Sequence, residues 1–578
     1  MGTSAQRTRK KHQKAVFYRR LIFLRLCFVV ASVILGYRIL DLQLFNRQFL
    51  QNEGDKRSVR YESIPAHRGI IFDRNGKPLS VSTPLVTLWA DPGDLYPESS
   101  RWQELANALN VDYDWLSERI TVNKHKEFVY LKRQMAPEVA NKVMALDIPG
   151  VHSVEEHRRY YPAGEVASHL VGFVDIDEVG QEGVELAYNR WLSGDEGKVR
   201  YLKDRRGRLV KKAELIDSPK VGKELRLSID LRLQYLAYKA LKSAVREHKA
   251  KSGSLVMLDS QTGEVLAMVN QPSYNPNSRS GMKPSRMRNR VVTDAIEPGS
   301  TLKPFTIAAA LESGRYNKNT PINTSPGWMM LGRNEVRDIL NYGQLTVTSV
   351  LTKSSNIGVT KIAMDIGVDS ILDVFTRVGL GQSTGIGFPG ENTGYLPFRD
   401  QWSRIGVATL SFGYGLTVTP LQLAQAYMVL ATGGIMRPVS VIKRDIVPKG
   451  HRVLEEQTAL DVRNMLATVV QSGSARRAKV AGYKVGGKTG TVRKIENGGY
   501  SSDRHMGLFA GIAPLDNPRL VTVVVIDDPA DGHYYGGLTA APVFSKVTAS
   551  ALRMLRIPPD KQDILTVQRT DKRHDDAG

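Results

Sequence analysis

Three pairs of residues in the chain have a serine three positions before a lysine, the spacing at which an amine can activate a hydroxyl. The three pairs are Ser280 with Lys283, Ser300 with Lys303, and Ser440 with Lys443. Local sequence favours Ser300, since an apolar helical run follows it, whereas Ser280 lies in a polar stretch and Ser440 in a strand-like one. Pro304 is compatible with a helix only in its first turn. We therefore expect Ser300 and Lys303 to share one face at the start of a helix.

This placement suits nucleophilic catalysis. A serine hydroxyl is a weak nucleophile at neutral pH and needs an adjacent base. A lysine can be that base if burial or a neighbouring cation lowers its pKa. A helix N-terminus also favours developing negative charge. Taken alone, the motif much more often marks a helix-capping serine with a surface lysine, so Ser300 and Lys303 are candidates that further motifs must support.

A second motif, Ser354-Ser-Asn356, precedes another apolar helical pattern. A hydroxyl and an amide two residues apart can both face a cleft. There the hydroxyl of Ser354 could relay a proton while the amide of Asn356 holds a substrate amide.

A third motif, Lys488-Thr489-Gly490-Thr491, lies between apolar stretches that are typical of a strand. Thr489 and Thr491 then point to the same strand face, beside the Lys488 cation, which suits the binding of a carboxylate. Gly490 has no Cβ and allows a ligand backbone to approach closely.

In this order the three motifs resemble the active-site set of penicillin-binding proteins and class A β-lactamases. The chain is most similar to class B penicillin-binding proteins of the division-specific septal type, from its N-terminal apolar segment to about residue 557. Residues 43 to 225 contain nothing like the glycosyltransferase motifs of bifunctional class A enzymes. Further segments that carry the resemblance are Arg68–Gly76, Arg159–Pro162, Glu297–Pro304, Gly387–Glu391, Phe412–Pro420 and Tyr535–Gly537.

The resemblance implies a serine D,D-transpeptidase that needs no cofactor. Ser300 would attack the carbonyl between the two terminal D-alanines of a peptidoglycan stem peptide, and an amine of a neighbouring stem peptide would resolve the acyl-enzyme. Lys303 would accept the serine proton, although the identity of the base is disputed in the wider family. Ser354 and Asn356 would relay the proton and hold the peptide. β-Lactams would mimic the substrate and acylate Ser300.

The resemblance also assigns the terminal carboxylate of the substrate to the third motif. Backbone N–H groups of Ser300 and Thr491 would form the oxyanion hole. Two tyrosines match aromatic residues at the active-site rim of relatives, and packing beside the glycines that follow them explains these tyrosines equally well. The residues assigned to substrate binding are Lys488, Thr489, Gly490, Thr491, Tyr534 and Tyr535.

A scaffold must bring these motifs together, and the sequence indicates a mixed α/β domain. Helical patterns follow Ser300, Ser354, Thr419 and Glu455. Strands at both ends with helices between them predict a central antiparallel sheet that both ends share, flanked by helices. The strand-like segments are Leu225–Ile229, Ser254–Leu258, Glu264–Val269, Gly507–Ala513 and Arg519–Ile526.

The N-terminal part predicts a membrane anchor and a pedestal. Leu21–Leu42 is long enough to cross a bilayer, with Arg38 and Asp41 spaced to pair on a helix. A strand entering an Asn-Gly turn at 68–76 predicts a hairpin. The predicted organisation is a basic leader (1–20), an uncleaved anchor (21–42), an elongated α+β pedestal of the dimerisation type (43–224), a transpeptidase domain (225–557) and a disordered tail (558–578).

Composition and charge fit this organisation. With 42% hydrophobic and 24% charged residues the chain is not mainly disordered, and its single cysteine, Cys27, excludes an intrachain disulfide. Of the net charge of +22, seven cations lie in the first twenty residues. Such a leader predicts a cytoplasmic N-terminus and an exported catalytic domain. For the family that the chain resembles, this implies the bacterial inner membrane with the catalytic domain in the periplasm. Nucleic acid is not an expected partner.

Several alternatives stay open at the level of sequence. Elongation-specific transpeptidases, D,D-carboxypeptidases and β-lactamases use the same motifs. A β-lactam sensor or a divisome scaffold belongs to a different functional class. The expected partners are stem peptides, β-lactams, a glycosyltransferase and other division proteins. The acceptor amine, drug selectivity and oligomeric state cannot be read from these motifs.

Overall fold

A computed structural model describes residues 4–203, 209–278, 282–496 and 498–560. The chain begins with the long helix α1 (Ser4–Leu40), which continues through a π-helical turn (Asp41–Phe45) into α2 (Arg47–Ser58). Within the described residues, one segment, Ala15–Phe45, has the length and hydropathy to span a membrane. It contains the predicted anchor. The predicted pairing of Arg38 with Asp41 is confirmed, with 2.7 Å between Nη1 and Oδ2.

The pedestal is built of short helices around two small sheets. The order in one sheet is β1-β6-β7; in the other it is β4-β3-β2-β8, with β5 paired to β3. The predicted hairpin is confirmed, since Ile71 pairs with Ser80 across β2 and β3. The elements are β1 (Val59–Ile64), β2 (Ile71–Phe72), β3 (Pro78–Ala90), α3 (Pro92–Leu95), α4 (Trp102–Leu109), α5 (Tyr113–Val122), β4 (Val129–Met135), α6 (Pro137–Met144), β5 (Val151–Tyr160), α7 (Ser168–Val171), α8 (Gly183–Ala187), α9 (Asn189–Ser193), β6 (Gly197–Lys203), β7 (Leu209–Asp217) and β8 (Leu225–Arg226).

A buried ionic cluster ties the pedestal together. The carboxylate of Glu185 accepts hydrogen bonds from Arg68 Nε at 2.8 Å, from Arg159 Nε at 2.7 Å and from Ser80 Oγ at 2.6 Å. The side chains of the two arginines and of Glu185 are at most 2% exposed. Two of the segments that carried the family resemblance, those beginning at Arg68 and Arg159, therefore meet on one buried glutamate.

The predicted mixed α/β architecture of the C-terminal unit is confirmed. Every pairing in its central sheet is antiparallel, and strands from both ends share this one sheet. The strand order is β10 (Val265–Gln271), β9 (Ser252–Asp259), β19 (Leu520–Asp527), β18 (Gly499–Ala513) and β17 (Gly486–Glu496). Helices α10 and α20 pack on this sheet and on each other, as do α18 and α19. Its helices are α10 (Leu231–Glu247), α11 (Pro284–Met287), α12 (Arg290–Thr293), α13 (Lys303–Glu312), α14 (Val347–Lys353), α15 (Asn356–Ile366), α16 (Val368–Arg377), α17 (Arg404–Ser411), α18 (Pro420–Ala431), α19 (Glu456–Gln471) and α20 (Gly536–Met554).

Strand bounds differ modestly from the predicted ones. The hairpin strand predicted at 507–513 begins earlier, at Gly499. The predicted strand Leu225–Ile229 shrinks to β8, which pairs in parallel with β2 of the pedestal and not with the central sheet. The remaining strands are β11 (Pro321–Asn323), β12 (Trp328–Leu331), β13 (Asn334–Arg337), β14 (Gln344–Thr346), β15 (Ile435–Met436) and β16 (His451–Arg452).

Part of the pedestal shares the apolar core of the catalytic unit, while pedestal residues between Leu88 and Val151 form a second buried cluster of their own. Ile71 and Leu79 of the pedestal belong to the same buried cluster as Met268 of the central sheet. Polar contacts reinforce the junction, because the side chain of Asn277 bonds the backbone N–H and C=O of Tyr161, each at 2.9 Å. The predicted disordered tail lies, from residue 561 onward, outside the described residues.

Candidate active site

Ser300 lies in a tight 3-10 turn, Gly299–Leu302, which runs directly into α13. The prediction that this serine opens a helix is confirmed, with Pro304 in the first turn of α13. Gly299 has a positive φ of 53°, and its N–H donates to Gly413 O at 3.0 Å. The side chain of Tyr427 donates to Thr301 O at 2.8 Å. The turn is thus held by neighbouring elements from both sides.

The amine of Lys303 joins the first motif to the second. Lys303 is the first residue of α13 and is 1% exposed. Its Nζ donates to Ser354 O at 2.6 Å and to Asn356 Oδ1 at 2.7 Å, and it lies 3.3 Å from Ser354 Oγ. A surface position for this lysine is therefore ruled out.

A buried aspartate that sequence reasoning missed shapes the second motif. Asp338 follows β13 and is 6% exposed. Its Oδ1 accepts from Asn356 N at 2.5 Å and Ile357 N at 3.2 Å, and its Oδ2 accepts from the hydroxyl of Ser355. Ser354, at the end of α14, adopts a left-handed conformation with φ of 60°. No local sequence pattern identifies Asp338, because its role depends on a contact with a distant turn.

The third motif lies on β17, as predicted, and reaches the same serine. Lys488 is 0% exposed, and its Nζ donates to Ser354 Oγ at 2.9 Å and to Thr489 O at 3.2 Å. The hydroxyl of Ser354 therefore lies between two lysine amines. Thr491 Oγ1 accepts from Gly536 N at 3.1 Å, which attaches the motif to the start of α20.

Gly490 serves packing in a way the sequence interpretation did not foresee. A Cβ at this position would lie 2.9 Å from Pro298 O and 3.1 Å from Thr301 Cγ2. The absent side chain makes room for the turn that carries Ser300, whereas the interpretation from sequence was room for a ligand backbone. Glycine here is what allows the first and third motifs to lie against each other.

Both lysines at the site lose their charge more readily than a solvated lysine. Complete burial, together with the positive charge of Lys488, lowers the pKa of Lys303 well below its usual range. Burial lowers the pKa of Lys488 to about 7. Two amines that contact one hydroxyl form a coupled pair, in which a single proton shared between them is favoured over two.

The two tyrosines of the sequence assignment have different environments. Tyr534 stacks on His505 with ring centroids 4.1 Å apart. Tyr535 is 49% exposed, precedes α20 and lines a cavity together with Thr489 and Thr491. Tyr535 thus lies at the rim of the site, while the ring of Tyr534 packs against its neighbours.

A polar cluster around Glu297 was also missed from sequence. Its Oε1 accepts from Gly415 N at 2.8 Å and from the hydroxyl of Tyr500 at 3.0 Å. Burial raises the pKa of this carboxyl. The ring of Tyr500 contacts that of Tyr414, whose hydroxyl lies 3.4 Å from Thr491 O. The cluster therefore connects the approach to Ser300 with β17.

The competing pair Ser440 and Lys443 does not assemble a comparable site, because its serine is engaged elsewhere. The hydroxyl of Ser440 donates to Ile442 O at 2.9 Å and accepts from Ile442 N at 3.0 Å, so it is engaged by local backbone. Ser280 lies outside the described residues.

Comparison with protein families assigns both units. Residues 253–549 match the penicillin binding protein transpeptidase domain, and residues 63–227 match the penicillin-binding protein dimerisation domain. The chain is 44% identical over 542 residues to a probable peptidoglycan D,D-transpeptidase, PbpC, of Pseudomonas aeruginosa, covering 94% of this chain and 96% of the relative. It is 43% identical over 566 residues to the peptidoglycan D,D-transpeptidase FtsI of Escherichia coli, covering 97% and 96%.

Solved structures show the same resemblance. Penicillin binding protein 3 from Mycobacterium tuberculosis, complexed with aztreonam, superposes with a TM-score of 0.68 at 28% identity, over 86% of this chain and 98% of that one. The transpeptidase domain of penicillin-binding protein 3 from Burkholderia pseudomallei gives a TM-score of 0.54 at 43% identity, over 58% of this chain and 98% of that one.

Proposed function

Since the chain belongs to the class B penicillin-binding proteins and is a peptidoglycan D,D-transpeptidase, we propose that it cross-links stem peptides at the division septum through an acyl-enzyme on Ser300. The observation that carries the chemical part of this proposal is the contact of two buried lysine amines, Lys303 and Lys488, with the hydroxyl of Ser354. The septal part rests on the likeness to FtsI-type relatives.

Lys303 is suited to accept the proton of Ser300. A neutral amine has two hydrogens and one lone pair, and the two hydrogens of Lys303 are satisfied by Ser354 O and Asn356 Oδ1. In our proposal the lone pair of this neutral amine takes the proton of Ser300. Burial and the Lys488 charge favour this neutral form.

We propose the following course for acylation. Ser300 Oγ attacks the carbonyl carbon between the two terminal D-alanines, its proton passes to Lys303, and the bond to the terminal D-alanine nitrogen breaks. Ser354, between the two amines, relays a proton to that leaving nitrogen. Thr489 and Thr491 bind the terminal carboxylate beside Lys488. Backbone N–H groups of Ser300 and Thr491 stabilise the oxyanion, where one donor is typically worth ~10²–10³ in rate.

The cellular setting extends the proposal to location and partners. The protein carries one N-terminal apolar helix, among the described residues, of the length that spans a membrane. We place its basic N-terminus in the cytoplasm and Ser300 in the periplasm, with a glycosyltransferase and other division proteins as partners. A reporter fused at residue 10 is expected to stay cytoplasmic, and one fused after residue 560 to be exported.

Labelling with a fluorescent penicillin tests the nucleophile. Wild type, Ser280→Ala and Ser440→Ala should be labelled covalently, whereas Ser300→Ala should not. Circular dichroism and Tm establish that the unlabelled variant is folded. Covalent label on folded Ser300→Ala would defeat the assignment.

Two further measurements separate the related functions. Depletion of the protein from cells is expected to give undivided filaments, while rounded cells would indicate an elongation role. With a donor peptide and an acceptor amine, the enzyme should transfer more than it hydrolyses. Rapid turnover of penicillin with fast deacylation would indicate a β-lactamase instead.

A further inference from the structure

A cavity of about 440 Å³ opens next to the two threonines of the third motif. It is lined by Thr489 and Thr491 of β17, by the start of α20, and by the loop before β17 that carries Arg476 and Arg477. Neither arginine was singled out from the sequence, and none of the steps proposed above uses them.

The arginine-bearing loop is fixed to the motif strand. The hydroxyls of Ser474 and Thr489 are hydrogen-bonded at 2.8 Å. Ser545 Oγ of α20 donates to Lys479 O at 2.5 Å. A Cβ on Gly537 would lie 2.5 Å from Ser474 O, so glycine permits the close contact of this loop with α20. The loop therefore has a defined position beside the active site.

The cavity is strongly cationic. Arg476 and Arg477 begin a 3-10 turn (Arg476–Ala478), and both side chains are exposed. Arg476 Nη2 donates to Ser472 O at 3.1 Å. Among the described residues, no ion pair of either arginine is found. The described lining residues include no carboxylate. Two guanidinium groups without counter-ions favour an anionic ligand.

The position of the cavity relative to the acyl carbon indicates which ligand it binds. This inference rests on the proposed function. Thr489 and Thr491 mark the side of the acyl carbon from which the terminal D-alanine leaves. Attack by an acceptor amine is the reverse of that departure, so the amine enters from the same side. Whatever the acceptor carries beyond its amine and the adjacent carbon then extends into the cavity.

We propose that this cavity is the acceptor subsite, and that Arg476 and Arg477 bind a carboxylate on the side arm of the acceptor. Because acceptor attack reverses the departure of D-alanine, the acceptor has the same D configuration and the same carboxylate beside its amine. Its side arm carries a second carboxylate. In the transfer step its nitrogen forms a bond to the acyl carbon, and the bond between that carbon and Ser300 Oγ breaks. The proton lost by the amine ends on Ser300 Oγ, so the free enzyme is regenerated.

The test compares acceptors that differ only in side-arm charge. The full-length protein in detergent is supplied with a D-alanyl thioester donor, and with D-glutamate or D-2-aminoadipate, each against its own side-chain amide. Wild type is expected to transfer to the acids about three- to tenfold more than to the amides, the range for two solvent-screened charge pairs. In the double variant Arg476→Gln/Arg477→Gln this ratio should fall to about one.

Controls keep the outcome specific. Thiol release without acceptor and transfer to D-alanine, which has no side-arm anion, should be unchanged in the double variant. Lys479→Gln, which removes a cation from the same loop outside the cavity lining, should keep the wild-type ratio. A ratio near one in wild type, or an unchanged ratio in the double variant, overturns the subsite alone. A wild type that releases no thiol overturns the proposed function and the subsite together.

Discussion

Ser354 is the residue on which the three motifs converge. Its hydroxyl contacts Lys488 at 2.9 Å and Lys303 at 3.3 Å, and its carbonyl accepts from Lys303 as well. Burying two amines around one hydroxyl is unfavourable while both are charged. The site therefore loses folding stability, and in exchange the lysine pKa values are lowered, which favours the neutral amines.

The lowered pKa of Lys488 predicts how the unfolding free energy depends on pH. Its folded pKa of about 7 lies below the value of 10.5 for a solvated lysine, so between these values the unfolded state binds one more proton. Stability should rise with pH in this window, by ~1.4 kcal/mol per pH unit. From pH 7 to 9 the gain in unfolding free energy should be about 2 kcal/mol smaller in Lys488→Met than in wild type.

Denaturant unfolding of both proteins at the two pH values measures this difference. Lys484→Met is the matched control, because Lys484 is solvent-accessible and paired with Asp516, which raises its pKa. Its pH dependence should equal that of wild type. If the unfolding free energies of wild type and Lys488→Met changed equally from pH 7 to 9, the pKa of Lys488 would not be lowered.

Asp338 should position the second motif without touching the substrate. Its carboxylate holds the backbone of Asn356 and Ile357. In Asp338→Asn the hydroxyl of Ser355 loses a charged acceptor, and the rate of penicillin acylation should fall about 10- to 100-fold. Glu335→Gln, at an exposed carboxylate of the same hairpin, should acylate like wild type. Wild-type acylation by folded Asp338→Asn would remove its positioning role.

At the scale of elements, strand β17 and the turn before α13 must touch for the site to exist. Gly490 permits this contact, and Gly536, at the start of α20, donates to Thr491 Oγ1 from the other side of the motif. The strand thus fixes its lysine and threonines relative to the nucleophile. Its register with β18, in which Lys488 opposes Ala510, is part of the same arrangement.

Gly490→Ala tests this contact. The added Cβ meets Pro298 O at 2.9 Å, so the turn that carries Ser300 has to shift. We expect a loss of ~1–3 kcal/mol in unfolding free energy from overpacking and a fall in acylation rate of at least about tenfold. Gly499→Ala, on the adjacent strand with no atom within 4 Å of the new Cβ, is the control. Equal acylation rates in the two variants would show that the turn does not depend on Gly490.

At the scale of the molecule, the part of the pedestal around Ile71, Leu79 and Leu192 shares a core with the catalytic unit, and the rest of the pedestal has its own buried cluster. The parallel pairing of β8 with β2 and the Asn277 contacts with Tyr161 connect them further. Such continuity predicts that damage to the pedestal lowers the stability of both units together. The most vulnerable point is Glu185, whose single carboxylate pairs with two buried arginines.

Glu185→Ala should leave Arg68 and Arg159 buried without their counter-ion, at a cost of about 3–5 kcal/mol. Four of the six tryptophans lie in the pedestal, so fluorescence reports mainly this unit; they are Trp89, Trp102, Trp115 and Trp191. The midpoints of fluorescence change and of lost penicillin labelling should fall by the same temperature difference.

The control for this variant is Asp177→Asn, at an exposed member of an ion pair with Arg133, and its Tm should match that of wild type. If fluorescence shifts in Glu185→Ala while penicillin labelling keeps its wild-type midpoint, the two units unfold independently.

Sequence alone determined the parts of this protein that are local. Helix starts after Ser300 and Ser354, the strand at Lys488 and the apolar anchor follow from periodicity and capping, which involve near neighbours in the chain. Motif order then indicated the family. Only the tertiary structure assigned Asp338 to the second motif, Glu185 to its two arginines and the arginine-bearing loop to the cavity, because these contacts join residues far apart in sequence. Burial, which lowers the lysine pKa values, likewise exists only in the folded chain.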